Sequence, residues 1–512
     1  AEGPFSPGVI HQSIGGGGGW IGNVSDGGVQ LGGLSTDDST GADLNLTLPF
    51  EVLTVGDNSP GVVLQSIGGG GGVVADVSGN ATLGGTTNRG VDTSGGSLTY
   101  TQLQRSVTTL GNDSPGVVLQ SIGGGGGLLA AVDGRVAVGS DSQPGSNVSA
   151  GVITASNGAP ITTTGVSSPG LTIQSFGGSG GLVGSAPTSV IAGGAGRGDS
   201  RAGSIDLTNR GAILTTGDNS SGVVLQSIGG GGVYTTSAGG AAINLGGSVV
   251  GLNDSGAIAF TSRGTIRTGG DNAAAIVAQS IGGGGGAVFG VEGAKASTVQ
   301  LGSDTATSNG AGAVTLTIED NLSSFGAGSP AVLAQSIGGG GGYAPIATRE
   351  AQAGATTSSG LDGKAVSILI RANATTNGFS SDGLIAQSIG GGGGMLGSST
   401  DSLQLGAGNG GNGDAAAVTI RSSQTITTTG DQSIGISAQS IGAGGGRSGS
   451  AEGSVQLGAN GARGDAGAVT LNLTSLEPGN DGSIVTTGNQ SPAFVLQSIG
   501  GGGGLVFPNA NT

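Results

Sequence analysis

Cysteine is absent from this 512-residue chain, and histidine, methionine and tryptophan occur once each. Without cysteine there is no disulfide scaffold and no thiolate metal site. The absence also suits a chain that crosses an envelope unfolded. A Ser-His pair can form only at His11, which stands where other copies of the same motif carry Leu64 and Leu119. It reads as a tolerated variant, and Trp20, just after a glycine tract, as a packing residue. Aromatic residues make up 3% of the chain and charged residues 9%. That supply builds neither an aromatic-rich core nor a charge-laced helix surface. The carboxylates are scattered over turn positions, with no clustered acid pair and no arginine companion. The expectation is a protein that is not an enzyme, with no catalytic, cofactor or metal residues. Lys and Arg number 15 against 31 Asp and Glu, a net charge of −16. Such a balance argues against a nucleic-acid partner and favours solubility. No apolar run is long enough to span a bilayer, so membrane insertion of this segment is not expected. With no signal peptide and no initiator Met, residues 1–512 read as one continuous repeat region cut from a larger chain.

What the chain has in abundance is glycine, 119 residues, together with Val, Ile and Leu in fixed places. Glycine does not fall at every third position, which excludes collagen. Hydrophobic residues at 35% in short, placed runs argue against disorder. The clearest unit runs Ser-Pro-Gly-Val-Val-Leu-Gln-Ser-Ile followed by five glycines, at Ser59–Gly72 and again at Ser114–Gly127. Its glutamine recurs as Gln12, Gln65, Gln120, Gln174, Gln226, Gln279, Gln335, Gln387, Gln439 and Gln497, at spacings of 52 to 58 residues. Repetition at a fixed period is the signature of a repeat architecture.

Three shorter elements recur between these copies. One is Val-Gln-Leu-Gly, at Val29–Gly32, Val299–Gly302 and Val455–Gly458. Another is Gly-Ala-Val-Thr-Leu-Thr-Ile, at Gly312–Ile318, with relatives at Gly467–Leu473 and Gly256–Ser262. The third is Ile-Thr-Thr-Thr-Gly, at Ile161–Gly165 and Ile426–Gly430, with Ile484–Gly488 close to it. Each is short, rich in β-branched residues and bounded by turn formers, which reads as a strand. No segment has a capped helical period.

About nine repeats of ~54 residues, four strands to a repeat, predict an all-β chain: a right-handed parallel β-helix. Two or three coils per repeat, at ~4.8 Å each, would give a rod of roughly 90–130 Å. A β-propeller would need at least ten blades, and closed rings tolerate drifting repeat lengths poorly.

In stacked coils the glutamines can form an amide ladder, or they can point outward to water. The glycine tract is either a tight corner or a set of polyglycine-II-like strands. Gly-Asp-Asn-Ser at Gly56 and Gly217 suits a turn; calcium is the sharper alternative. The threonines at 162–164, 215–216 and 427–429 would align if coils stack, as packing or as a ligand face.

Tandem copies of Gln-Ser-Ile and a glycine tract, with the two threonine-rich strands between, resemble the passenger repeats of large bacterial autotransporter adhesins. The resemblance covers essentially the whole chain. It implies a secreted β-helix held at the bacterial cell surface, acting in adhesion, aggregation or biofilm formation, with self-association or a host or matrix surface as partner. It carries over no binding residues. A self-assembling extracellular filament is the alternative, and a threonine-faced glycan or ice binder a further one. The stalk reading expects every face to repeat, with no unrepeated concave charged cluster.

Overall fold

A computed structural model describes residues 1–139, 145–193, 199–238, 242–246, 252–290, 296–302, 305–307, 310–346, 348–354, 357–359, 361–406, 409–458, 461, 463–474 and 481–507. The described residues are all-β, without helix, and every strand pairing is parallel between successive repeats. The protein is a parallel β-helix.

One circuit of the chain shows how it is built. Val62–Ile67 lies in the first sheet, Gly71–Val77 in the second and Ala81–Leu83 in the third. Leu98–Gln102 then enters a fourth sheet and Val107–Thr109 a fifth. Val117–Ile122 returns to the first sheet directly beside Val62–Ile67. The first and second sheets each have ten strands, and the other three have nine each. Two small sheets of two and three strands flank them.

The register corrects the expected size of the rod. Gln65 pairs with Gln12 on one side and Gln120 on the other, so each repeat is a single wide coil, not two or three. Ten coils at strand spacing span ~43 Å from first to last, about half the lower expected length. A coil closes where the chain meets its own previous copy. Parallel stacking of equivalent sequence therefore makes the coil equal to the repeat.

The first sheet is an internal wall, and all six residues of its interior strands are buried. On one face Val62 and Leu64 pack with Leu98, Tyr100 and Val107 of the fourth and fifth sheets. On the other, Val63 packs with Val73 of the second sheet. Ile67, Ile122, Phe176 and Ile228 stack into a column of their own. A further apolar column, including Val74, Val77, Ala81 and Leu83, joins the second and third sheets. A strand buried on both faces reads as a continuous apolar run, which is what Val-Val-Leu displays.

Candidate functional site

The structure brings all ten sequence-picked glutamines into one column. Each Nε2 donates to the Oε1 of the next, from Gln12 to Gln497, over nine contacts of 2.6–2.9 Å. In most coils the same Nε2 also donates to a carbonyl of the second sheet, at 3.2–3.4 Å, as Gln65 does to Gly72. The amide has two donors, and this arrangement employs both, in a place where an unpaired donor would be costly.

The glycine tract has two parts. Gly68–Gly70 turns the corner, and Gly71–Gly72 begins the second sheet over the glutamines. Gly71 and Gly72 have φ of +143° and +142°. A Cβ on Gly71 would collide with the carbonyl oxygen of Gly126, and one on Gly72 with that of Gly19. Glycine suits both positions, because they are left-handed and in backbone contact with neighbouring coils, although Val233 stands in the Gly72 row and Ser179 and Ala443 in other tracts. The serine after each glutamine works on the opposite face. Ser66 Oγ donates to Ala42 O and accepts from Gly96 N, each at 2.7–2.8 Å, tying the fourth-sheet segments of two coils to the wall.

The Gly-Asp-Asn-Ser segment is a turn. Asn58, Asn219 and Asn272 adopt φ of 53–57°. Asp57 Oδ1 accepts from Asn112 N of the next coil at 2.7 Å. Among the described residues no group of three or more His, Cys, Asp and Glu is placed to hold a metal ion.

The threonine triplets divide. Thr163 points inward and donates to Ser168 O at 2.6 Å, closing the turn, as Thr109 does to Ser114 O. The outward row runs Leu53, Thr108, Thr162, Leu214, Arg267, Ser323, Thr375, Thr427 and Val485. Leucines, a valine and an arginine interrupt it, so the threonines align as a ladder on the inward row, from Thr54 to Thr486 with Ser324 between, and not as an exposed ligand face. His11 stacks on Leu64 in the first coil, and Trp20, 46% exposed, stacks on Val73.

One feature does not repeat. Asp382 follows Ser381 where Pro60, Pro115 and Pro330 follow the equivalent serines. Arg447 stands in a second-sheet column between Met395 and Leu505, with Tyr343 one coil further along. Both are buried, at 1% and 4% side-chain exposure, and they form an ion pair. Asp382 Oδ1 also accepts from Ile434 N at 2.7 Å. Burial pushes the Arg447 guanidinium down to about 10. Its Cζ lies 4.6 Å from the Phe507 ring centroid. Arg447 Nε and the buried Ser448 Oγ have no hydrogen-bond partner among the described residues.

Arg447 lines a groove of about 560 Å³ between the turn column and the second sheet, with Asp382 buried behind it. The row that would fill it reads Phe289, Pro345, Gly397, Gly449 and Phe507 along the axis, so three small or side-chain-free positions lie between two phenylalanines. Phe379 stands on the rim at 50% exposure, in the row where Asp271 and Asp431 stand in other coils. The stalk reading expected every face to repeat, and this groove, with Asp271 and Arg447 as the charged residues of its lining, does not repeat. Sequence reading missed it because Asp382 and Arg447 are 65 residues apart. The available signal was two charged residues at repeat positions that elsewhere hold mostly apolar or uncharged ones.

Comparison with protein-family models, with curated proteins and with solved structures finds no match for this chain.

Proposed function

We propose that this chain is an extracellular structural and adhesive rod of a bacterial surface protein. The observation that carries the reading is the continuous glutamine column, which runs through every coil. What recurs from repeat to repeat is what stacks coils: the glutamine, the serine clamp and the glycine corner. Residues that recur for stacking make a scaffold whose length is set by repeat number. A cysteine-free chain whose coils form one upon another also suits export in an unfolded state. The Asp382–Arg447 groove amends the bare stalk reading, since a rod that only spaces its ends has no use for one dissimilar concavity.

The test is display. The 512 residues are fused between a secretion signal and an outer-membrane translocator barrel in a non-adherent bacterium. Protease accessibility, settling rate and attachment to coated surfaces are then measured. A folded, surface-exposed, protease-resistant chain that speeds settling or attachment relative to the barrel alone is the expected result. A chain retained inside the cell, or displayed without effect on either behaviour, overturns the reading.

A further inference from the structure

We infer that the groove beside Arg447 binds a neutral oligosaccharide lying along the rod axis. The inference stands on a different observation from the rod reading and can fail without it.

The first argument is the cost of the site. Arg447 occupies a column otherwise filled by side chains such as Leu128, Met395 and Leu505, and Asp382 a position mostly held by proline. Replacing a buried ion pair by well-packed apolar residues is often neutral or stabilising. Neighbouring coils stack without such a pair, so stacking does not require it. Unsatisfied buried polar atoms in a native structure call for an explanation, and two of the eleven among the described residues lie here, side by side. Arg447 Nε–H is a donor without an acceptor and Ser448 Oγ–H another, both on residues lining the same groove.

The second argument is charge. Arg447 is already neutralised by Asp382, and Asp271 adds a carboxylate to the rim. With the buried Asp382 counted behind the wall, the site holds two carboxylates and one guanidinium and is net negative by one. An anionic ligand would meet Asp271 without a free cation to compensate. The orphan donors lie just under the groove wall, closed to solvent, and a side-chain shift would turn them to acceptor oxygens, while Asp271 and Gln432 offer acceptors for hydroxyl donors. A sugar hydroxyl supplies both.

The third argument is shape. Its turn wall runs from Asn272 to Gln432 and its second-sheet wall from Pro345 to Phe507, three coil steps each or ~14 Å. One coil step is close to the length of one pyranose residue. Phe379 presents a half-exposed ring at the rim, suited to stacking on the apolar face of a sugar. Clefts of this volume, with apolar walls and a few placed polar groups, are the usual form of a small-ligand site.

Titration calorimetry of the intact 512-residue chain with cellohexaose and with maltohexaose, and with a hexameric polygalacturonate as the acidic comparator, tests the inference. Saturable binding of one or both neutral hexamers, stronger than that of polygalacturonate, is expected. Phe379→Asp, which installs the residue found at that row in the next coil as Asp431, should weaken binding at least tenfold. The paired change Asp382→Ile with Arg447→Leu should do the same. Circular dichroism of each variant reports whether the β-helix is retained. Failure of both neutral hexamers to bind at millimolar concentration overturns the inference. So does preference for the acidic oligomer, or binding unchanged in both folded variants.

Discussion

Glutamine carries the stacking at the scale of single residues. Its side chain has two amide hydrogens and one carbonyl oxygen. In the column one hydrogen meets the next glutamine, the other a second-sheet carbonyl, and the oxygen the preceding amide. Replacing Gln279 by Leu would strand Gln226 Nε2 and Gln335 Oε1 inside the wall. Each orphan costs about 1–3 kcal/mol, so local stability should fall by about 2–6 kcal/mol. Hydrogen exchange read coil by coil checks this. Faster exchange confined to the coils next to Gln279 is expected, because coupling in a solenoid is between nearest neighbours. Unaltered exchange there would deny the amide ladder a part in stability. The column was legible in sequence because the residue recurs. Its direction was not, because Val-Val-Leu-Gln-Ser-Ile is apolar on both faces and gives no sign of which side is core.

Strands and turns reveal where sequence reading succeeds and where it stops. Four strand types were read correctly from β-branched residues bounded by turns. The second-sheet strand was missed. It opens with glycines that read as loop, and its body changes from Val73-Val74-Ala75 to Tyr234-Thr235-Thr236. The remaining signal was an apolar residue after most tracts, such as Val73, Leu128, Leu182 and Met395. The same strand type holds Arg447, so missing it also hid the groove. At this scale the ion pair can be dissected. Arg447→Leu alone leaves Asp382 buried with only the Ile434 N–H as partner, and should cost about 3–5 kcal/mol. Asp382→Ile together with Arg447→Leu gives these positions the residues found at Ile434 and Leu505. The pair should be neutral or stabilising by about 1–4 kcal/mol. Urea unfolding of the two singles and the double measures the coupling. Additive losses would show that the two side chains do not act as a pair.

The molecule as a whole is a stack of ten wide coils, and its length is the repeat count times the strand spacing. The period was plain in the sequence, but the number of coils in a period was not. Four short strands fit either several narrow coils or one wide one, and composition does not separate the two. The decision comes from the in-register pairing of equivalent residues in successive repeats. The outer row Thr99, Thr154, Asp206, Ala259, Thr315, Ser367 and Thr419 lies along the axis, one residue per coil. Because the chain has no cysteine, Thr99→Cys with Thr419→Cys takes nitroxide labels at those two sites alone. The most direct measurement is the distance between them by double electron–electron resonance. One coil per repeat puts six strand spacings between the labels, a distance centred near ~29 Å. A distance of ~58 Å or more would mean at least two coils per repeat and would contradict the architecture described here.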